Sequence, residues 1–391
     1  MSSFHEVQEQ LLLSYEDGIL DEDEFLLLHE QFMPKNPNFS YEEYDRFSLD
    51  EMNDAECLAE FRFRKHDLQI LSEVLQIPDS FRCYQRSVVD GMEGLCILLR
   101  RLSYPCRYSD MILRFGLPVP VLSMVSNDVL DFIYNTHRHR ITQWNHNVLN
   151  PAALQIYSNV ISGKGAALHN CFGIVDGTVR PVCRPGEHQR VIYNGHKRVH
   201  ALQFQCVALP NGLIGNLFGP VDKFCGEGLY KERVGDFNFT MFLTRNIGRV
   251  SGVKKGRKHD AGMLADSGLL QDLQRFANSP AGSMPDRRTS KMDPHRIYLQ
   301  TPFRNRALTA PMIAFNQSMI TVRESVEWLF NDIVNYFKFM DFKKNLKISL
   351  SSVGKMYVVC AILRNALTCL YPNQTSQYFI LDPPTLQDYF S

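Results

Sequence analysis

The stretch CFGIVDGTVRPV, residues 171–182, restricts the fold of this chain more than any other. Phe172, Ile174 and Val175 read as a buried strand, and that strand presents one acid, Asp176, at its end. Gly177 and Thr178 then suit a turn, with residues 178–182 continuing as the return strand. Downstream, residues 193–221 read as two further strands around Pro210-Asn211-Gly212, the strongest short hairpin signal in the chain. Two more acids stand out later: Asp260 in GRKHDAGMLADSGLL and Glu327 in VRESVEWLF. Carboxylates far apart in sequence, two of them flanked by basic residues, form a pattern to test against metal-dependent nuclease chemistry.

Charge sharpens that test. The net charge is zero, yet residues 1–60 hold 17 of the 42 acids and only Lys35 and Arg46 of the 42 bases. Subtraction leaves 40 bases and 25 acids over residues 61–391, a surplus of 15. An acidic head on a basic body fits a polyanion binder whose head competes for the binding surface; a merely solubilising head is the plainer reading. The length of 391 residues fits two or three domains, and 45% hydrophobic content supports packed cores. No apolar run is seen to approach the ~18 residues that span a bilayer, and no signal-peptide pattern opens the sequence, so no membrane partner is expected. The ten cysteines are scattered without a CxxC pair, which speaks against a zinc knuckle or disulfide scaffold and for reduced thiols in the cytosol or nucleus.

Residues 1–60 mix acidic clusters with apolar spots, as expected of short, loosely docked helices. LDEDEFLLLHEQF there reads equally as a partner-binding amphipathic helix or a plain surface helix. Residues 61–165 carry helical spacing. Within them RYSDMILRFGLPVPVLSMVSNDVLDFIYNT has a helix capped by Ser109 and ending at Phe115, a Gly-Leu-Pro break, and a second helix from about Val121 to Tyr134. That is a helix-turn-helix outline, and also the outline of any small helical corner. The second helix carries Asp128 and Asp131 and no Lys or Arg, so phosphate contacts would fall to Arg100, Arg101, Arg107, Arg138 and Arg140.

Residues 222–255 show no clear period, and a long amphipathic helix is expected over 312–341. At ~100° per residue from Val326, its apolar stripe covers about −60° to +40°. Glu327 falls near +100°, at the stripe's edge and facing a cleft beside the core, whereas Glu324 falls near 160° on the solvated side. Trp328, near 200°, either covers a second packing surface or is exposed. Another apolar helix spans 352–371, and a polar tail, 372–391, closes the chain.

Two-metal phosphoryl transfer needs carboxylates from separate elements converging on two cations ~3.5–4 Å apart. Mg²⁺ suits such sites because it takes carboxylate oxygens and keeps open water positions. In series, VDGT, YNGHKRVHALQFQ, PNG, HDAGML, SGLL, TPF and SVEWLF resemble the DDE endonuclease domain of PIF/Harbinger-type transposases and their domesticated relatives, over roughly 171–371. The helical region before it is similar to the helix-turn-helix part of those proteins. The resemblance implies a mixed α/β chain: an RNase H-like catalytic domain with a sheet flanked by helices, preceded by an all-α helix-turn-helix-like region.

It also implies Mg²⁺- or Mn²⁺-dependent cleavage and joining of DNA in the nucleus, with the cytoplasm a second location. A separate DNA-binding partner protein and a homo-oligomer are the further partners it implies. By position, Asp176 matches the first acid, Asp260 the second and Glu327 the helix-borne glutamate. Asp293, in KMDPHRIYLQTPF, is a gapped match to a further acid, with an ordinary loop acid as the alternative. The spacing from Asp176 to Asp260 exceeds that of such relatives by about the length of residues 222–255, which are therefore expected to be an insertion. Lys197, Arg198, Arg257 and Lys258 are the candidate phosphate contacts. His196 and His200 are candidates to line a DNA channel and His259 to aid the metal site, against a structural or surface role for each. The competing reading is a catalytically inactive, transposon-derived protein that binds DNA or recruits a partner.

Overall fold

The computed structural model describes residues 4–32, 39–84, 86–187, 189–195, 197–220, 240–243, 298–300, 302–303, 308–348 and 350–391. The first half of the chain contains α1 (Phe4–Glu16), α2 (Glu22–Phe32), α3 (Asp54–Phe61), α4 (Lys65–Val74), β1 (Ser80–Arg82), β2 (Val88–Asp90) and α5 (Gly91–Ser103), followed by α6 (Ile112–Phe115), α7 (Val119–His137), α8 (His139–Thr142) and α9 (Pro151–Gly163). The second half contains β3 (Cys171–Pro181), α10 (Gln189–Ile192), β4 (Tyr193–Asn194), β5 (Val199–Ala208), β6 (Ile214–Phe218), β7 (Thr240–Leu243) and β8 (Tyr298–Gln300). Four helices complete it: α11 (Ala310–Tyr336), α12 (Val353–Leu370), α13 (Gln374–Phe379) and α14 (Leu386–Phe390).

The chain divides into two compact units. One comprises Met1–Phe47 with Tyr108–Leu122, and the other Ser48–Arg107 with Ser123–Ser391. In the first unit, α1 and α2 pack through Tyr15 and Phe25, whose rings lie 5.3 Å apart, and Phe47 packs on Phe115 at 5.1 Å. Gly116 makes the corner after α6 with φ +55°, and a Cβ there would stand 2.5 Å from the Asp45 carbonyl oxygen. Only glycine fits that corner.

In the second unit the sheet runs β4–β5–β3–β7–β8, with β6 also on β5. The central β3 is antiparallel to β5 and parallel to β7, and β7 is parallel to β8. Residues 171–176 are buried because α9 and α11 both pack on β3. β5 and β6 form the expected hairpin around Pro210-Asn211-Gly212, where Gly212 has φ +82° and buried Asn211 donates to the Tyr157 hydroxyl at 3.0 Å.

Helix α11 buries Met319, Val322, Val326, Leu329, Phe330 and Ile333 along one stripe, each worth about 1.5–3 kcal/mol on burial. Trp328 packs on a second surface, edge-on to Tyr378 of α13 at 5.5 Å. Asp332 of α11 meets the guanidinium of buried Arg364 on α12 at 2.7 Å.

Five expectations change. Residues 178–182 are not a return strand: Gly177 pairs in register with Gln205, so β3 runs straight through and Asp176 lies mid-strand. The region read as all helical contains the β1–β2 hairpin, whose last residue, Asp90, caps α5 by accepting from the Met92 amide. The stretch 222–255, read as showing no clear period, supplies β7, paired in parallel with β3; its other residues lie outside those described. The closing residues 372–391 are not a polar tail, because Phe379, Leu386, Tyr389 and Phe390 are buried. Finally, α12 is long and apolar enough to cross a membrane, yet 78% of it is buried inside the protein, where Arg364, Asn365 and Thr368 are hydrogen-bonded.

Candidate active site

Asp176 is 4% exposed on the central strand, and its Oδ1 accepts the Gly177 amide at 2.8 Å. Side chains alternate along a strand, so Asp176 and Arg180 share one face of β3. Arg180 shows what covers that face: its guanidinium donates to the Phe330 carbonyl of α11 at 3.1 Å and to the Tyr357 hydroxyl of α12 at 3.2 Å. Across the ladder from Asp176 stands Cys206, whose thiol pKa is pushed well above the usual range by burial and then by the Asp176 charge. Tyr357 is pushed up to about 12 by burial, against the lowering effect of Arg180. The acid therefore faces a buried, helix-covered layer that also holds the Arg180 guanidinium and in which Cys206 and Tyr357 are held neutral.

Glu327 lies on α11, three residues before the carbonyl that Arg180 grips. That is about 4.5 Å along the helix axis. A second tether near the start of the helix joins the Ala167 amide to Ser318 Oγ at 3.2 Å. Arg180 thus ties the strand that bears Asp176 to the helix that bears Glu327, and the Ala167 bond ties the α9–β3 connection to the same helix. Glu327 sits at the edge of the apolar stripe as expected, but its side chain is 54% exposed and its Oε1 accepts Arg323 Nη2 at 2.8 Å. Asp260, Asp293, Arg257 and Lys258, with His196 and His259, lie outside the described residues. Among the described residues no group of three or more His, Cys, Asp or Glu side chains is placed to hold a metal ion.

Lys197 and Arg198 are exposed in the turn between β4 and β5, where the Asn194 side chain accepts the Lys197 amide at 2.9 Å. Val199 is seven residues along β5 from Cys206, the partner of Asp176. These bases therefore stand about 23 Å from the acid along the sheet rather than beside it. His200 packs edge-on to Tyr193 at 5.3 Å. Two of the arginines considered for phosphate contact beside the helical corner are engaged internally. Arg101 bonds the Cys106 carbonyl and lies over Phe339, and Arg140 holds the carbonyls of Tyr389, Phe390 and Ser391. On α7, Asp128 is exposed and Asp131 pairs with Lys355 at 2.7 Å, so that helix presents acids rather than bases.

Sequence reasoning missed Arg180, Tyr357 and Arg323. Only Arg323, four residues before Glu327 on one helix face, carried a local signal.

Residues 241–365 match the family model described as DDE superfamily endonuclease. The matched span, from residue 241 to 365, holds nearly all of β7, Asp260, Asp293, Glu327 and most of α12, and excludes Asp176, which lies on the strand that β7 pairs with. No curated protein and no solved structure gives a significant match.

Proposed function

We propose that this chain is a divalent-metal-dependent DNA endonuclease and strand-transfer enzyme of the PIF/Harbinger transposase type, acting in the nucleus. One observation carries the reading: the span that matches a DDE superfamily endonuclease begins on the strand hydrogen-bonded to β3, whose buried acid is Asp176. The mixed sheet, with that acid on its central strand and helices packed on it, supports an RNase H-like domain.

The carboxylates fit a hard cation in kind. Asp176 is a carboxyl in buried surroundings, and its ionised form there is stabilised by a cation. Asp176, Asp260 and Glu327, with Asp293 as a fourth, would hold Mg²⁺ or Mn²⁺. Metal bound there would supply an activated water or 3′-hydroxyl and stabilise the leaving oxygen of the DNA phosphate. The chain's own residues prepare the site. β3 fixes Asp176, Arg180 locks α11 against that strand, and Glu327 must exchange its Arg323 partner to act as a ligand. Because the acids would act as ligands rather than proton carriers, each is required in its ionised form.

The second reading, a catalytically inactive DNA-binding protein of the same origin, would leave Glu327 in its exposed pair with Arg323. Nicking of supercoiled DNA with Mn²⁺ or Mg²⁺ separates the two. The enzyme reading expects nicking by the native chain, loss of nicking in Asp176→Ala, and unchanged duplex affinity. Equal metal-dependent nicking by Asp176→Ala would remove Asp176 from the mechanism, and a native chain that binds DNA without ever nicking it would favour the inactive reading.

A further inference from the structure

Beyond the end of β3, Val182 donates its amide to the His200 carbonyl at 2.9 Å, and Cys183 donates to the Leu346 carbonyl at 2.9 Å. Three segments therefore lie side by side at this end of the sheet: the start of β5, the residues after β3, and the connection from α11 to α12. At about 4.8 Å between neighbouring segments, Leu346 stands about 10 Å across from His200.

Cations outnumber acids on these segments, where the acids are Glu187 and Asp341. Lys343, Lys344 and Lys347 are exposed on the connection, Arg184 beside Cys183, and Lys197 and Arg198 in the turn that leads into β5. None of the five residues Lys343, Lys344, Lys347, Lys197 and Arg198 has an ion-pair partner among the described residues, whereas nearby Asp341 pairs with Lys338 at 3.9 Å. Cations held this close by backbone hydrogen bonds repel one another, and an external polyanion relieves that repulsion.

We infer that this surface seats the phosphate backbone of duplex DNA away from the point of reaction. The inference rests on the nuclease reading for its choice of polyanion. Cys183 lies seven residues past Asp176 on the same extended segment, about 23 Å away. At ~3.4 Å per base pair that is about seven base pairs of B-form DNA, so the surface grips the flank about seven base pairs along from Asp176.

The test is a titration of the full chain with a fluorescent mixed-sequence duplex, without divalent metal, over a range of salt. The variant K343Q/K344Q/K347Q removes exposed, unpaired lysines and keeps the native melting temperature. Its affinity falls at least about tenfold at low salt, and the slope of log K against log salt becomes shallower by about 2.7, at ~0.9 per lost contact. The matching triple arginine variant keeps native affinity. Native affinity and slope in the glutamine variant would overturn the surface while leaving the nuclease reading intact. Failure of the native chain to bind any duplex would overturn both. Preference for phosphatidylserine vesicles over DNA, which exposed Phe342 and Leu350 beside the lysines would serve, would reassign the surface to a membrane.

Discussion

Asp176 and Glu93 are the only two acids buried among the described residues, out of 42 in the chain. Burial is what separates Asp176 from an ordinary acid, and the apolar run before it made that burial legible. The helical arc likewise placed Glu327 at the stripe's edge. It did not say what the side chain does there, because an edge position serves a cleft and an ion pair equally. The pair with Arg323 gives a prediction at this scale. An exposed pair of this kind is worth up to about 1 kcal/mol, so Arg323→Ala raises Mn²⁺ affinity by up to about fivefold, read by calorimetry. A fall in affinity would mean that Arg323 organises the site instead of competing for it. Arg180 was not legible, since its partners Phe330 and Tyr357 lie 150 and 177 residues away in sequence.

Among elements, the strands with apolar alternation and the hairpin turn were readable, and so were the long helices α11 and α12. The strand β7 was not, because a four-residue parallel strand in the middle of a sheet has no period of its own and is specified by its neighbour. The straight passage of β3 through Gly177 was misread for a related reason: a Gly-Thr pair suits a turn locally, and only the β5 ladder holds it extended. Tertiary hydrogen bonds then fix the layers. Asn365 of α12 accepts the Ile214 amide at 2.8 Å and donates to the Ile214 carbonyl at 3.0 Å, pinning β6 as another strand would. Asn365→Leu leaves both groups buried without that partner and costs about 1–3 kcal/mol for each, measurable by urea denaturation. Asp332→Ala strands the buried charge of Arg364 and costs about 3–5 kcal/mol in the same measurement. A loss below about 1 kcal/mol in either variant would show that the helix layer is not held to the sheet as described.

Across the molecule, neutrality conceals a divided charge: an acidic head in sequence and a basic remainder that collects cations at one end of the sheet. Stability also depends on pH. His137 is 1% exposed, with Nε2 2.9 Å from the Leu75 carbonyl, and burial lowers its pKa. A lowered folded value means the unfolded chain binds the proton more tightly. This contribution is therefore complete above the unfolded value of about 6.5 and is lost as pH falls below it. His139, lowered mainly by burial, adds the same sign. The melting temperature should drop as pH falls from about 6.5 towards 5, with a shallower slope in His137→Gln. Identical slopes would remove His137 from the account.

The central claim, that Asp176 and Glu327 belong to one metal site, is tested most directly by calorimetric titration of Mn²⁺ into the native chain, Asp176→Ala and Glu327→Ala. The account predicts binding by the native chain that weakens sharply in both variants. Equal binding by all three proteins would contradict it.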